Sequence, residues 1–538
     1  MAEPATVFPL EIYYHLVSQI YLEKATLSTL SLVSSQLRDL AQQQLFKTVV
    51  FHYPSALSHP TAPRSFLVVN LGPYKAKVHS ICSSTHLCKY IQELQITFCN
   101  LKPWALPHSK GSDKVFCKEM EEVARTLPRM IALRRLSYRA PLLFGAMHQA
   151  ILCHPSLKTL LITPLTSCEK PCREASEQHD RGHALQELEI LEWSPYHHIQ
   201  GLSSPVIGAR QCALTSNILV THSSSLHLLR VPVLLLFDAI SAVSSFPRFP
   251  HLRGLSIMPS GHSPNMNRIR PVIADKIEQF LLHVHETIVF LDWSPEVSLK
   301  ILERLPQSCF PNLDTLEGEE IECLLSNHPL RRLCLAIPND DNDLNFGSLQ
   351  ALYDCKSTSP NLEVLLLEPA MHTLAYTPAI SEFASLKTFI YRVPLPPSSG
   401  VNFEELQVEP FSISNPTLSV ISKFLSRFVP NMPFLHTVSV ELWGTDSIES
   451  IIVSDVISTV SRIQSNSLRS FIYKVALEES EDEIYQMVFE LRRQCSGDRE
   501  WVALRDKTLE EVYFPCPTHK EQCYMNRPQP VYQSWMTL

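Results

Sequence analysis

Four side chains in one short stretch have types and spacing that could hold a metal ion: Cys168-x3-Cys172, then His179-x3-His183. Two thiolates and two imidazoles would make a tetrahedral zinc site. Only six residues separate Cys172 from His179, where a finger-type site has about twelve. A chain with 15 cysteines and 22 histidines produces such a pairing readily by coincidence. We read the stretch as a polar loop that holds no metal. Cys516, His519 and Cys523 are still less suitably spaced. For nucleophilic or metal-assisted hydrolysis the sequence offers neither a G-x-S-x-G elbow nor an H-E-x-x-H helix. Glycine is only 13 of 538 residues, and neither glycine-rich phosphate-binding motif occurs. No catalytic residue and no cofactor is therefore expected.

Charge and hydropathy exclude two further classes. Lys plus Arg is 46 against 54 for Asp plus Glu, a net charge of -8, and no basic run of five occurs. A nucleic-acid partner needs clustered cations to displace counterions, so none is expected. The longest apolar runs, such as Val231 to Phe237, fall far short of the roughly 18 residues of a spanning helix, and no membrane partner is expected. The first residues lack the charged and apolar regions of a signal peptide. An odd number of cysteines without framework spacing points to free thiols in a reducing compartment, cytoplasmic and/or nuclear.

Any site must be positioned by the elements a repeated phrase implies: apolar, two residues, apolar, one residue, apolar. It occurs from Ile91-Leu94-Ile96 and Leu133-Leu136-Tyr138 through Leu252-Leu255-Ile257, Leu362-Leu365-Leu367 and Leu468-Phe471-Tyr473 to Leu509-Val512-Phe514. Counting a weaker copy at Leu313-Leu316 there are fourteen, with starts about 32 residues apart. Proline stands just before several copies (Pro155, Pro311, Pro360), which suits a turn feeding a strand. Leucine, 74 of 538 residues, dominates the phrase.

Such a phrase is the strand of a leucine-rich repeat, and the fold class expected is α/β: an irregular solenoid with helices of variable length behind its strands. The Asn that follows the phrase in regular repeats is mostly absent, so an Asn ladder is not expected. Helices are expected over Lys118–Leu127, Asp275–Leu282, Leu418–Phe428 and, behind the Ser-x-x-Glu capping box of Ser480 and Glu483, Ile484–Arg493. Loops are expected at 52–65, 259–272 and 394–416. Residues between the core positions would face the concave side. They include Arg135, Arg139, Glu187, Glu189, Arg230, Asp292, Arg332, Glu368, Arg392, Glu441, Lys474 and Glu511, with Met258, Phe290, Leu366 and Tyr513 interspersed. A mixed-sign face of this kind suits a protein client, for which Arg135, Arg139, Arg332 and Arg392 are the candidate contacts.

The first fifty residues differ. Phe8-Pro9-Leu10-Glu11-Ile12, then Leu16-Val17, then Leu27 through Leu30-Ser31-Leu32-Val33, then Leu37-Arg38-Asp39-Leu40-Ala41, give short helical stretches, with Pro9 where a missing N–H costs nothing. In order and spacing these residues resemble the F-box motif. The match covers residues 8 to 50 and departs where the family's tryptophans would stand, at Leu37 and Phe46. The resemblance implies a three-helix module that docks in a groove of a Skp-type adaptor and, through it, on a cullin scaffold. Carried over, the adaptor anchors are Pro9, Leu10, Ile12, Leu16, Leu27, Leu30 and Val33. Recognition of this kind rests on a few desolvated apolar anchors.

The expected organisation is an F-box-like module at 5–50, a linker at 51–85, a leucine-rich-repeat-like solenoid at 86–515 and an irregular tail at 516–538. The expected function is that of a non-catalytic substrate receptor of an SCF-type ubiquitin ligase. A scaffold whose N-terminal helices only cap the solenoid is the alternative. Exposed apolar side chains on the first fifty residues would favour the receptor, and full burial the cap.

Overall fold

The computed structural model describes residues 24–33, 35–53, 72–98, 112–139, 142–143, 145–162, 166–167, 185–190, 217–241, 246–258, 266–293, 300–318, 321–325, 327–337, 346–369, 377–394, 425–426, 429–444, 458, 460–461, 467–480, 483–493, 501–505 and 510–512. The chain divides into two compact units, one of Met1–Leu252 with Ser260–Met266, the other of Arg253–Pro259 with Asn267–Leu538.

The first unit opens on two helices, Lys24–Val33 and Ser35–Leu45. Strands Thr48–Tyr53, Glu93–Phe98, Arg135–Arg139, Thr159–Ile162, Glu187–Ile190 and Leu228–Pro232 then pair in parallel, each with the next. In the second unit the parallel series is Gly254–Met258, Phe290–Trp293, Thr315–Gly318, Arg332–Ile337, Val364–Pro369, Thr388–Pro394, Thr437–Gly444 and Ser470–Ser480. The fold is α/β, as expected. Parallel strands need crossovers, and helices supply them. Met266–Val284 is one, burying Ile273, Ile277, Phe280, Leu281 and Val284 at helical spacing. No helix among the described residues is long and apolar enough to cross a membrane.

Thirteen of the fourteen phrases lie on parallel strands in one shared phase. Leu94, Leu136, Leu160, Leu188 and Leu229 are register partners in turn, and all are fully buried. The second unit repeats this with Leu255, Leu291, Leu316, Leu333, Leu365, Phe389, Val438 and Phe471. A one-residue slip would turn every one of them out of the core, so the apolar spacing fixes the register.

Neighbouring repeats are joined at their N-terminal rim. There one carbonyl accepts two successive N–H groups from the next repeat: Gln92 from Arg134 and Arg135, Arg331 from Glu363 and Val364, Lys387 from His436 and Thr437. Hydroxyls of the preceding turn add a second tie. Ser156 donates to the Leu133 carbonyl at 3.0 Å, Ser225 to that of Leu185 at 2.7 Å, and Ser359 to that of His328 at 2.9 Å. Ser359 also accepts the Leu330 N–H at 2.9 Å. These turn serines connect repeats from the side opposite to that of an Asn ladder.

Several expectations need correcting. The Ser480–Glu483 capping box does not open a helix: Glu483–Arg493 is a strand, antiparallel to Ser470–Ser480. Its alternate residues Tyr485, Met487, Phe489 and Leu491 oppose Leu477, Val475, Tyr473 and Phe471 in the register. That period of two outweighs a four-residue capping signal. The phrase at Leu509-Val512-Phe514 is likewise no repeat strand, because Glu510–Val512 pairs antiparallel with Glu483–Arg493. The 259–272 stretch, expected as loop, contains the start of Met266–Val284, which accommodates Pro271. The helix expected at Lys118–Leu127 runs Ser112–Thr126. The parallel series begins at Thr48, ahead of the expected 51–85 linker, and Gly72–Ser83 within that span is helical. The stretch 394–416 beyond Pro394, most of Leu418–Phe428 and the tail 516–538 lie outside the described residues.

Candidate functional site

The N-terminal helix pair closes on itself through Leu27, Leu40 and Ala41, all buried, with Leu30 and Leu45 packed against them. Arg38 Nε donates to the Ser31 carbonyl at 3.1 Å, tying the second helix to the first. Of the expected adaptor anchors, Leu27 and Leu30 thus meet in this small core, and Val33 ends the first helix. Pro9, Leu10, Ile12 and Leu16 lie outside the described residues, and with them the first of the three expected helices. Leu32, between two expected anchors, points away from the pair and is 79 % exposed.

The second face of the repeat strands, expected as a mixed-sign face for a client, is largely buried in the second unit. Across the second unit the register aligns Ser256, Asp292, Glu317, Cys334, Leu366, Ile390 and Ser439 on that face. All are buried. Cys334, Leu366 and Ile390 form an apolar cluster there, with Val364 against it. Phe290 is buried as well, and Met258 is half-buried. Tyr513 lies outside the described residues. Side chains of adjacent strands stand under 5 Å apart, so a continuous row of medium-sized groups shields itself from water.

Several charged groups on this face are tied across strands. Ser256 donates to Asp292 Oδ2 at 2.5 Å. Arg392, 6 % exposed, donates to Glu441 Oε2 from Nε at 2.9 Å and Nη2 at 2.8 Å, and its Nη1 lies 3.4 Å from Glu368 Oε2. Burial works against its charge, but Glu441 and Glu368 outweigh that and hold its pKa above the usual guanidinium value. In the first unit, Arg230 reaches Glu189 at 3.5 Å and Arg135 Nε lies 3.6 Å from Glu93. Of the four candidate client contacts, Arg392 is therefore engaged internally, Arg135 is partly engaged, Arg332 is half-buried and Arg139 ends its strand. The missed signal was the alternation Glu368, Arg392, Glu441, Lys474 at one phrase position, legible as a cross-strand charge ladder.

The Cys168, Cys172, His179 and His183 stretch lies outside the described residues, as do Cys516, His519 and Cys523. Among the described residues no group of three potential ligands forms a metal site. Burial pushes the thiols of Cys82, Cys323 and Cys355 up to about 11, which keeps them protonated and unreactive at neutral pH.

No protein-family model matches the chain, and no curated protein matches it. Among solved structures it matches one titled as a TLR13–ssRNA13 complex, at 12% identity over 66% of this chain and 58% of that one, with a TM-score of 0.23. The match thus spans little more than half of that protein.

Proposed function

We propose that the chain is a non-catalytic substrate receptor of an SCF-type ubiquitin ligase. Residues 1–45 would dock on a Skp-type adaptor and, through it, on a cullin. The leucine-rich-repeat-like strands would hold a protein client. The gain is effective concentration: the client is kept where other subunits act, and no residue here need do covalent chemistry.

The observation that supports this over a capping role is Leu32. A cap would bury its apolar side chains against the sheet it covers. The described helix pair instead packs on itself and leaves a leucine 79 % exposed. Burying such a side chain in a partner's groove contributes about 1.5–3 kcal/mol.

The test is co-expression of the chain with a Skp-type adaptor, alongside Leu32→Asp and a deletion of residues 1–45. The deletion stops there because Thr48–Tyr53 belongs to the sheet. Adaptor captured by the parent chain and lost in both variants supports the receptor. A folded parent chain that captures none assigns the scaffold reading instead.

A further inference from the structure

Some cations at the N-terminal rim of the strands lie beside a carboxylate: Arg135 by Glu93, Arg331 and Lys387 by Glu363. Lys47 and Lys89 share a different setting. Both line a cavity of about 310 Å³ between the end of the helix Ser35–Leu45 and the first repeats, together with Gln43, Gln44, Gln92 and Tyr90. No acid is among the described lining residues. The acid on the adjoining helix, Asp39, lies 3.7 Å from His86. Lys89 Nζ sits 4.8 Å from the centre of the Tyr90 ring, which directs the ammonium without neutralising it.

In a chain of net charge -8, a cleft whose described lining carries two ammonium groups and no carboxylate favours an anion. Three glutamine amides add neutral donors that suit oxygen acceptors. We propose that this cleft binds a phosphoryl group together with part of the molecule that carries it. The charge count selects phosphoryl: a phosphate monoester carries about -1.5 to -2 at pH 7, matching two ammonium groups better than a single carboxylate does. The volume selects a carrier, since 310 Å³ is the space of roughly ten waters and exceeds one inorganic anion. The site stands independently of adaptor docking.

The full chain is titrated with O-phosphoserine and with inorganic phosphate at constant ionic strength, with serine as control, reading the ligand-dependent rise in Tm. We expect a saturable rise with O-phosphoserine and none with serine. Lys47→Gln with Lys89→Gln raises the half-saturating concentration at least about tenfold and leaves the ligand-free Tm unchanged. Gln92→Glu, which adds a carboxylate to the lining, gives the same loss and serves if the double variant does not fold. Phosphoserine binding tighter than phosphate supports the carrier as part of the ligand, and equal binding overturns that part of the proposal. No shift with either probe, or the same saturation in the charge variants, overturns the site.

Discussion

Arg392 and Glu441, on neighbouring strands, are joined by two donors to one oxygen: Nε at 2.9 Å and Nη2 at 2.8 Å from Glu441 Oε2. Both residues are buried, and Glu368 on the other flank completes an acid–base–acid row. Removing the cation alone takes from both carboxylates the buried ion pair they make with it. Arg392→Ala is expected to cost about 3–5 kcal/mol in guanidinium unfolding. Arg392→Met combined with Glu441→Gln and Glu368→Gln should recover most of that loss. Equal stability of Arg392→Ala and the parent would mean the row is not formed.

Gly318 occupies the core position that other repeats fill with a large side chain. Its φ is +134°, and an added Cβ would lie 1.8 Å from the Trp293 carbonyl oxygen on the preceding strand. Trp293 itself is 2 % exposed. Gly318→Ala therefore combines backbone strain of about 1–3 kcal/mol with displacement of the neighbouring strand. We expect a loss of at least about 3 kcal/mol, among the largest for a single-atom change. A thermal midpoint within about 1 °C of the parent, corresponding to about 1 kcal/mol for a chain of this length, would contradict the close approach.

Much of this was written in the sequence, and the exceptions have physical causes. The phrase spacing gave the parallel strands and their phase because burial of alternate residues is its direct cause. Gly318 explains the one weak copy, Leu313-Leu316, whose third position must be empty. Phe46, Val49 and Phe51 carry the same spacing, and Val49 and Phe51 lie on the first strand, but the helical pattern before them drew Phe46 and Val49 into the N-terminal module and left Phe51 to the linker. At Glu483–Arg493 a local capping signal masked an alternation that only pairing with Ser470–Ser480 makes decisive. Burial of the second face could not be read from one strand, because each residue there is shielded by its neighbours on others. Leu32 shows the same limit on a helix, where its exposure depends on which face the pair turns inward.

A buried carboxyl and a half-buried imidazole of the first unit set opposite pH limits. Burial pushes the Glu119 carboxyl up to about 7, with Lys75 pulling it down and Glu122 pushing it further up. The folded state then binds more protons than the unfolded one between about 4.5 and 7, so this group's effect lowers stability as pH rises through that window. Glu119→Gln should flatten the decline and raise the thermal midpoint at pH 8 more than at pH 5. Burial also holds His148 neutral down to about 4, so its contribution is present above about 6.5 and is lost as pH falls toward 4. His148→Gln should weaken the acid limb without changing the alkaline one. An unchanged profile in both variants would contradict the burial of these two groups.

The most direct test of the receptor proposal is capture of a purified Skp-type adaptor by the full chain, compared with Leu32→Asp. Because Leu32 is exposed, Leu32→Asp should change stability by no more than about 0.5 kcal/mol. We expect the parent chain to retain the adaptor and Leu32→Asp, folded to the same thermal midpoint, to lose at least about tenfold in affinity. Equal capture by the two chains, or none by a folded parent, would contradict docking through the N-terminal helices.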